Sequence, residues 1–517
     1  MENIVKYPIG DQDFRSVRHG GFLYIDKTRY IESIVEGGKY IFLARPRRFG
    51  KSLFLSTLQY FFEGDRELFK GLYADSMDWD WQPYPVFRLD LYRNEFAEQD
   101  KLNAVLDRLF REWEAKYGIE AKDSDPAARF GYIISETHRK TGRQVVILVD
   151  EYDKPLVGNL NKNENFEHYR TQLASLYTNF KNSAEHIRLV FITGVSRFSK
   201  LSVFSALNNI NDISFDDKYA DICGITEKEL HSRFKEGIMR LADNEHLGYE
   251  ETLQALKHNY DGYRFAIKGS DIYNPWSVLN CMEKGWIGNY WNETGIPTIV
   301  AEALKRSGAD LEEVFNSTCS PDDLKGMDIL EPQPLPLLYQ TGYLTIKEYN
   351  VRRRKFRLGI PNNEVRKGLM KVLLPYYVKT KAKSAKDLAD DIVDSLETGE
   401  PDRLMKLLQT FFSSIPYEMQ MDNENNIHNA LFVLLYLIGT EVRTEYHTSD
   451  GRIDLLIETD DYIYIIELKF DKTAADAMNQ IEEKQYARPF GLDSRRIFRI
   501  GINYSSKTRT IEDWVIS

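Results

Sequence analysis

YIFLARPRRFGKSLFLSTLQYFF, Tyr40 to Phe62, decides the fold. It opens as an apolar, β-prone run and closes with apolar side chains at helical spacing from about Lys51. Between the two lies a short basic loop with a single glycine. Similar runs recur downstream: VFRLDL (Val86–Leu91), VVILVD (Val145–Asp150) and RLVFITG (Arg188–Gly194). Helical stretches at Asp100–Tyr117 and Phe166–Ala184 lie among them. Buried β-branched runs alternating with helices predict a parallel sheet covered on both faces, so the fold class is α/β.

The loop RPRRFGKS, Arg45–Ser52, has what a phosphate cradle needs. Gly50 lets the backbone approach phosphate oxygens, Lys51 neutralises β/γ charge, and Ser52 offers a hydroxyl to Mg²⁺. The helix N-terminus adds its dipole. Arg47, Arg48 and Phe49 complete the nucleotide-binding stretch, and the two arginines offer extra anion contacts. Arg45 stands where the first glycine of such loops is usual. GKS alone also describes a glycine turn with a surface lysine. VVILVDEYD adds weight, because Asp150 and Glu151 fall at the C-terminal end of a strand, where ligands bind in open α/β sheets. Asp150 would hold Mg²⁺ through its water shell, and Glu151 would polarise the attacking water. Thr193, Ser196 and Arg197 end a further strand and could sense a γ-phosphate, although strand ends are often polar for solvation alone.

The 517 residues exceed one hydrophobic core, and 42% hydrophobic with 28% charged residues is ordinary for globular protein. MENIVKYPIGDQDF lacks the basic-then-apolar run of a signal peptide, and no apolar stretch is long enough to span a bilayer. Three scattered cysteines, Cys223, Cys281 and Cys319, fit neither a disulfide framework nor a zinc knuckle. A cytoplasmic protein without a membrane partner is expected. Strands disappear from about Ile225, where Thr226 and Glu229 have the spacing of a capping box. A mainly helical middle follows, with a winged helix as one form it can take and a hairpin, YLTIKEYN then RKFRLGIP, near its end. LETGEPD (Leu396–Asp402) is a turn-rich boundary. The expected domains are 1–222, 223–395 and 396–517.

The last region carries GRIDLLIETDDYIYIIELKF. With Asp460-Asp461 as a two-residue turn, Asp454 lies opposite Glu467, and strand alternation puts Lys469 on the face of Glu467. Two opposed carboxylates repel unless a divalent cation sits between them, and a nearby lysine suits an attacking water or a developing phosphorane. That is the arrangement for metal-dependent phosphodiester hydrolysis. A solvated edge hairpin with a Glu467–Lys469 pair is the plainer alternative. Against it, the strand is apolar on both faces. Gln480, on the following helix, can be aimed back at this site.

The net charge of −11 hides a local reversal. Arg352 to Lys386 holds 12 Lys/Arg and one acid, Glu364, a local +11, leaving about −22 (−11 minus 11) for the rest. RRRKFRL and VKTKAKSAK flank Tyr376 and Tyr377, which suits a phosphate backbone; a solvated face balancing acidic neighbours fits the charge equally.

YPIGDQDF, YIDKT (Tyr24–Thr28), ARPRRFGKS, LVDEYDKP, TGVSRFS, CGITEKEL, YDGYRF, YNPWSVL, GRIDLLIE, IIELKF and QIEEKQY span nearly the whole chain. Together they resemble the bacterial family that joins an AAA-ATPase-like P-loop domain to a PD-(D/E)xK nuclease-superfamily domain, and RPRRFGKS is that family's form of the loop. The resemblance implies an ATP site at Lys51, Ser52, Asp150 and Glu151, and a restriction-endonuclease-like domain with the triad Asp454, Glu467 and Lys469. The expected protein binds and hydrolyses ATP with Mg²⁺ and cleaves nucleic acid, DNA before RNA, with Mg²⁺ at Asp454 and Glu467. A homo-oligomer is compatible with this. The alternatives are an NTP-dependent switch or scaffold whose C-terminal domain binds nucleic acid or protein without cutting, and an ATP-dependent signalling protein.

Overall fold

The computed structural model describes all residues except 1–4, 93, 123–124, 160–162, 198–209, 292–299, 302, 305–306, 308–309, 326–332, 378–381, 414–426, 428, 435–440 and 448–451. The chain forms two compact units, Met1–Gly295 with Thr318–Glu364, and Ile296–Ser317 with Val365–Ser517.

The first unit is built on the strands read from the sequence: β1 (Tyr40–Ala44), β2 (Val86–Asp90), β3 (Val145–Asp150) and β4 (Ile187–Gly194). They pair in parallel in the order β2-β3-β4-β1, and a two-residue strand β5 (Asn211–Asp212) extends the sheet beyond β1. Every residue of β3 is buried, as an apolar run covered on both faces must be. Helices Lys51–Phe62, Lys101–Tyr117, Pro126–Thr141 and Asn163–Asn182 follow the strands. β5 carries two polar residues and no period, so nothing in its sequence marks it as a strand.

The middle region is mainly helical, but the strands do not stop at Ile225. β6 (Ile225–Thr226) pairs with β7 (Ile272–Tyr273), and β8 (Thr318–Cys319), β9 (Thr345–Asn350) and β10 (Lys355–Gly359) form a small sheet in the order β8-β10-β9. Two-residue strands are too short to show alternation, which is why they escape a periodicity reading. Thr226 and Glu229 do form the expected capping box, and β9 and β10 are the expected hairpin. From β8 the chain runs through helices Pro321–Lys325 and Pro334–Thr341 into β9 and β10. With the first of the three strands paired to the last, this is winged-helix connectivity. Helix Pro334–Thr341 buries Pro336 to Thr341 within its own unit. Tyr339 stacks on Phe215 at 5.7 Å, and Gln340 accepts the Arg197 backbone N–H at 3.0 Å. The wing turn, Val351–Arg354, is exposed throughout.

In the second unit β11 (Glu441–His447), β12 (Arg452–Glu458), β13 (Tyr462–Phe470), β14 (Arg496–Ser505) and β15 (Thr510–Ile516) form one mixed sheet in chain order. Only β13 and β14 are parallel, and helix Ala474–Glu483 makes their crossover. Leu455, Ile457, Tyr464 and Ile466 pack with Leu396, Leu404 and Phe411 of helices Ala382–Glu397 and Pro401–Ser413. Ile463 and Ile465 pack with Met478 and Ile481 of the crossover helix. β13 is therefore covered on both sides. Leu396–Asp402 turns at Gly399 (φ +69°) between two helices of this one unit.

Candidate functional site

Two sites emerge, one in each unit. The first lies where β1 becomes a helix. Gly50 takes φ +93°, a left-handed conformation that costs a glycine little, and starts helix Lys51–Phe62. Arg48 is left-handed as well, at φ +70°, and its guanidinium lies 4.0 Å over the Trp276 ring. Arg45 is buried, donating to the carbonyls of Ala44 (2.9 Å), Ser214 (2.8 Å) and Tyr219 (3.1 Å). The residue in the unusual position thus braces the loop from behind. Phe49 is buried edge-on to Tyr263 and Phe265 at 4.8 and 5.3 Å, so its part in the loop is to anchor it.

Lys51 donates to the carbonyls of Arg45 and Pro46 at 2.9 and 3.0 Å, which places its ammonium across the mouth of the loop. Burial lowers its pKa, while Glu151 and Asp150 oppose that shift. The Asp150 carboxylate is fixed by Thr193 Oγ1, which donates at 2.8 Å, and faces Arg88 at 3.7 Å. Glu151 sits at φ +49°, rare for a non-glycine residue and concentrated at functional sites. Burial raises its pKa, with Lys51 pulling the other way. Arg47, Arg48, Lys51, Ser52, Glu151 and Trp276 all line one cleft of about 150 Å³. The γ-phosphate role suggested for Thr193, Ser196 and Arg197 meets other partners. Thr193 serves Asp150, Ser196 N–H donates to Asp153 at 2.8 Å, and Arg197 pairs with Asp212 at 2.5 Å.

Arg88 and Asp153 were not singled out from sequence. Asp153 is buried and accepts both the Val195 and Ser196 N–H groups, tying the end of β3 to the end of β4. Arg88 joins Asp150 to Gln59, whose Oε1 accepts at 3.2 Å. A charge inside an otherwise apolar strand, as in VFRLDL, was the available signal.

The second site lies on β12 and β13. Their pairs run from Glu458↔Ile463 to Leu455↔Ile466, the register of an Asp460-Asp461 turn. One step further, in place of a backbone pair, Asp454 Oδ2 accepts the Leu468 N–H at 2.8 Å. Lys469 Nζ donates to Glu467 Oε1 at 2.9 Å. Glu467 is 1% exposed, and its second oxygen, Oε2, is buried with no hydrogen-bond partner among the described residues. Burial and the neighbouring Asp454 charge push its pKa up to about 7, against the pull of Lys469. A buried carboxylate oxygen left unmatched beside a second carboxylate is the donor set a hard divalent cation takes, so the residues fit the metal their motif implies. Gln480 lies on the crossover helix, and its amide nitrogen donates to Tyr486 Oη at 3.2 Å.

The basic segment divides. Arg352, Arg353 and Arg354 occupy the wing turn, whose first residue, Val351, is 76% exposed. Glu364 is buried and accepts from Ser277 Oγ (2.6 Å) and from the backbone N–H groups of Tyr290 and Trp291. Residues 378–381 and the side chains of Tyr376 and Tyr377 lie outside the described residues. Among the described residues no helix is long and apolar enough to cross a membrane.

Comparison with known proteins agrees with this division. The family described as "Predicted AAA-ATPase" matches residues 8–204, and the "PD-(D/E)XK nuclease superfamily" matches residues 422–514. A relative from Azotobacter chroococcum mcd 1, named "Uncharacterized protein in vnfD 5'region", is 33% identical over 522 residues, covering 99% of this chain and 98% of its own. With both domains in one polypeptide and a relative matching from end to end, this chain belongs to the family that joins an AAA-ATPase domain to a PD-(D/E)XK nuclease-superfamily domain.

Proposed function

We propose that this protein binds and hydrolyses ATP at the β1–helix loop and cleaves DNA at the β12–β13 hairpin, with the nucleotide state gating or positioning the DNA. The observation that carries the nuclease half is Glu467 Oε2, buried and unmatched beside Asp454. At the ATP site Lys51 meets the phosphates, Ser52 and Asp150 hold the cation, and Glu151 orients the attacking water and takes up its proton. At the hairpin Asp454 and Glu467 hold the cation, while Lys469 steadies the attacking water and the charge growing on phosphorus. Mg²⁺ bound at each site would supply neutralisation of phosphate charge and Lewis acidity. DNA is preferred to RNA as substrate, and the exposed wing arginines are proposed to contact its phosphates. All three cysteines are buried free thiols, in keeping with a cytoplasmic setting.

The alternative, a nucleotide-dependent switch whose second unit binds without cutting, draws on the Lys469–Glu467 ion pair, which can serve structure alone. Assaying the full chain on linear, circular and single-stranded DNA, with and without Mg²⁺ and ATP, separates the two. Cleavage that needs Mg²⁺ and changes with ATP supports the nuclease reading, and binding without cleavage under every condition supports the switch.

A further inference from the structure

The basic stretch of the phosphate loop is held from the middle region, residue by residue. The Arg45 guanidinium lies 4.5 Å over the Phe265 ring, the Arg47 carbonyl accepts from Trp291 Nε1 at 3.4 Å, and Arg48 lies over Trp276. Pro46 meets the end of helix Pro334–Thr341. Gly342 caps that helix at φ +89°, and a β-carbon there would stand 2.8 Å from Pro46 Cβ and 3.0 Å from its Cγ. Glycine alone lets the two segments come so close. The Pro46 carbonyl is one of the two that hold Lys51. Just before the cap, Gln340 is buried with its carboxamide bonded at both ends. Its Oε1 accepts the Arg197 N–H at 3.0 Å, and its Nε2 donates to the Leu324 carbonyl at 3.1 Å. Arg197 follows the end of β4, where the Gly194 carbonyl accepts the Arg45 N–H at 3.3 Å. One helix end therefore grips the loop at Pro46 and the neighbouring strand end at Arg197. Pro46, Gln340 and Gly342 are not among the described residues that line the phosphate cleft.

We propose that the C-terminal end of helix Pro334–Thr341 positions the phosphate loop for its ligand, with Gly342 acting through Pro46 and Gln340 through the backbone of Arg197. The inference rests on the phosphate-site reading above and adds positioning residues that lie outside the cleft. RPRRFGKS carries one glycine, and Arg48 takes a left-handed conformation that a glycine would adopt at little cost. Backbone in so sparsely populated a region persists only where its surroundings fix it. The helix end supplies such surroundings at two points. A displaced Pro46 would carry its carbonyl, and with it the Lys51 ammonium, out of line with the phosphates. From Gly342 the chain passes through Tyr343 and Leu344 into β9 and the wing turn. Occupancy of the loop is thereby coupled to the wing arginines through one continuous segment.

Calorimetric titration of the full chain with inorganic tripolyphosphate tests this, because that probe reads the phosphate loop alone. Gly342→Ala should weaken tripolyphosphate binding about tenfold, and Gln340→Leu, which keeps the bulk and loses the bonds, about threefold or more. Relief of the clash is the control. In a chain already carrying Pro46→Gly, a β-carbon at residue 342 meets no proline ring, so adding Gly342→Ala should cost less than about twofold. A glycine needed only to end its helix would lower the melting temperature in both backgrounds and leave the affinity of the folded protein where it was. That result overturns the proposal, as does an equal loss of affinity from Gly342→Ala with and without Pro46→Gly. Hydrogen exchange on the unmutated chain needs no substitution. The amides of Gly342, Tyr343 and Leu344 are bonded to the carbonyls of Tyr339 and Leu338. Tripolyphosphate should slow their exchange about threefold or more, and unchanged exchange there also overturns the proposal. Tripolyphosphate that binds the unmutated chain and both single variants alike refutes this inference alone. If it does not bind the unmutated chain, the phosphate-site reading itself fails and takes this inference with it.

Discussion

Glu467 and Glu151 are the two side chains on which the proposed chemistry turns, and both are buried acids held near a lysine. For Glu467 the folded pKa of about 7 lies above its ordinary value. A raised pKa gives stability that is complete below the ordinary carboxylate range and lost as pH rises through about 7. The metal-free protein should therefore melt at lower temperature on going from pH 5 to pH 8, and Glu467→Gln should flatten that dependence. Added Mg²⁺ should restore stability most above pH 7, where the proton no longer competes for the carboxylate. A melt that is pH-independent in the unmutated protein would mean that Glu467 is ionised and matched by Lys469 throughout. At the other site, Glu151→Gln should bind ATP normally and hydrolyse it about a hundredfold more slowly. Lys51→Ala should lose the binding itself, and unchanged hydrolysis in Glu151→Gln would remove that residue from the mechanism.

At the scale of elements, the wing and its neighbouring helix part company. Helix Pro334–Thr341 packs its side chains inside its own unit, so it has no face left to enter a groove. The exposed turn Val351–Arg354 carries three arginines, and none makes an ion pair among the described residues. Replacing Arg352, Arg353 and Arg354 with Glu should weaken DNA binding for all sequences alike. The log–log salt slope should shrink by about one unit for each phosphate that the arginines no longer neutralise. An unchanged slope would assign the cluster to balancing the acidic remainder of the chain. Elements also show what the sequence could express. The four long strands, the capping box at Thr226 and the β12–β13 register were legible because each is a local pattern of burial, capping or turn geometry. The two-residue strands were not, because they are held by neighbours far away in the chain. Arg45 marks the same limit within the site. Its position suggested a departure from phosphate binding, and only its buried bonds to Ser214 and Tyr219 show that it supports the loop.

Across the whole molecule the two sites lie in separate compact units, each with its own sheet. Asp454, Glu467 and Lys469, the proposed triad, stand out in the sequence as charges interrupting apolar strands. Arg88 gave the same signal and went unread, since no familiar motif surrounds it. That ATP and DNA chemistry are separable is the central claim. It is tested most directly by measuring Mg²⁺-dependent DNA cleavage and ATP hydrolysis on the same preparations of the unmutated chain and Glu467→Gln. The account predicts that the variant loses cleavage and keeps ATP hydrolysis at its full rate. Cleavage that survives in Glu467→Gln, or ATP hydrolysis that disappears with it, would contradict it.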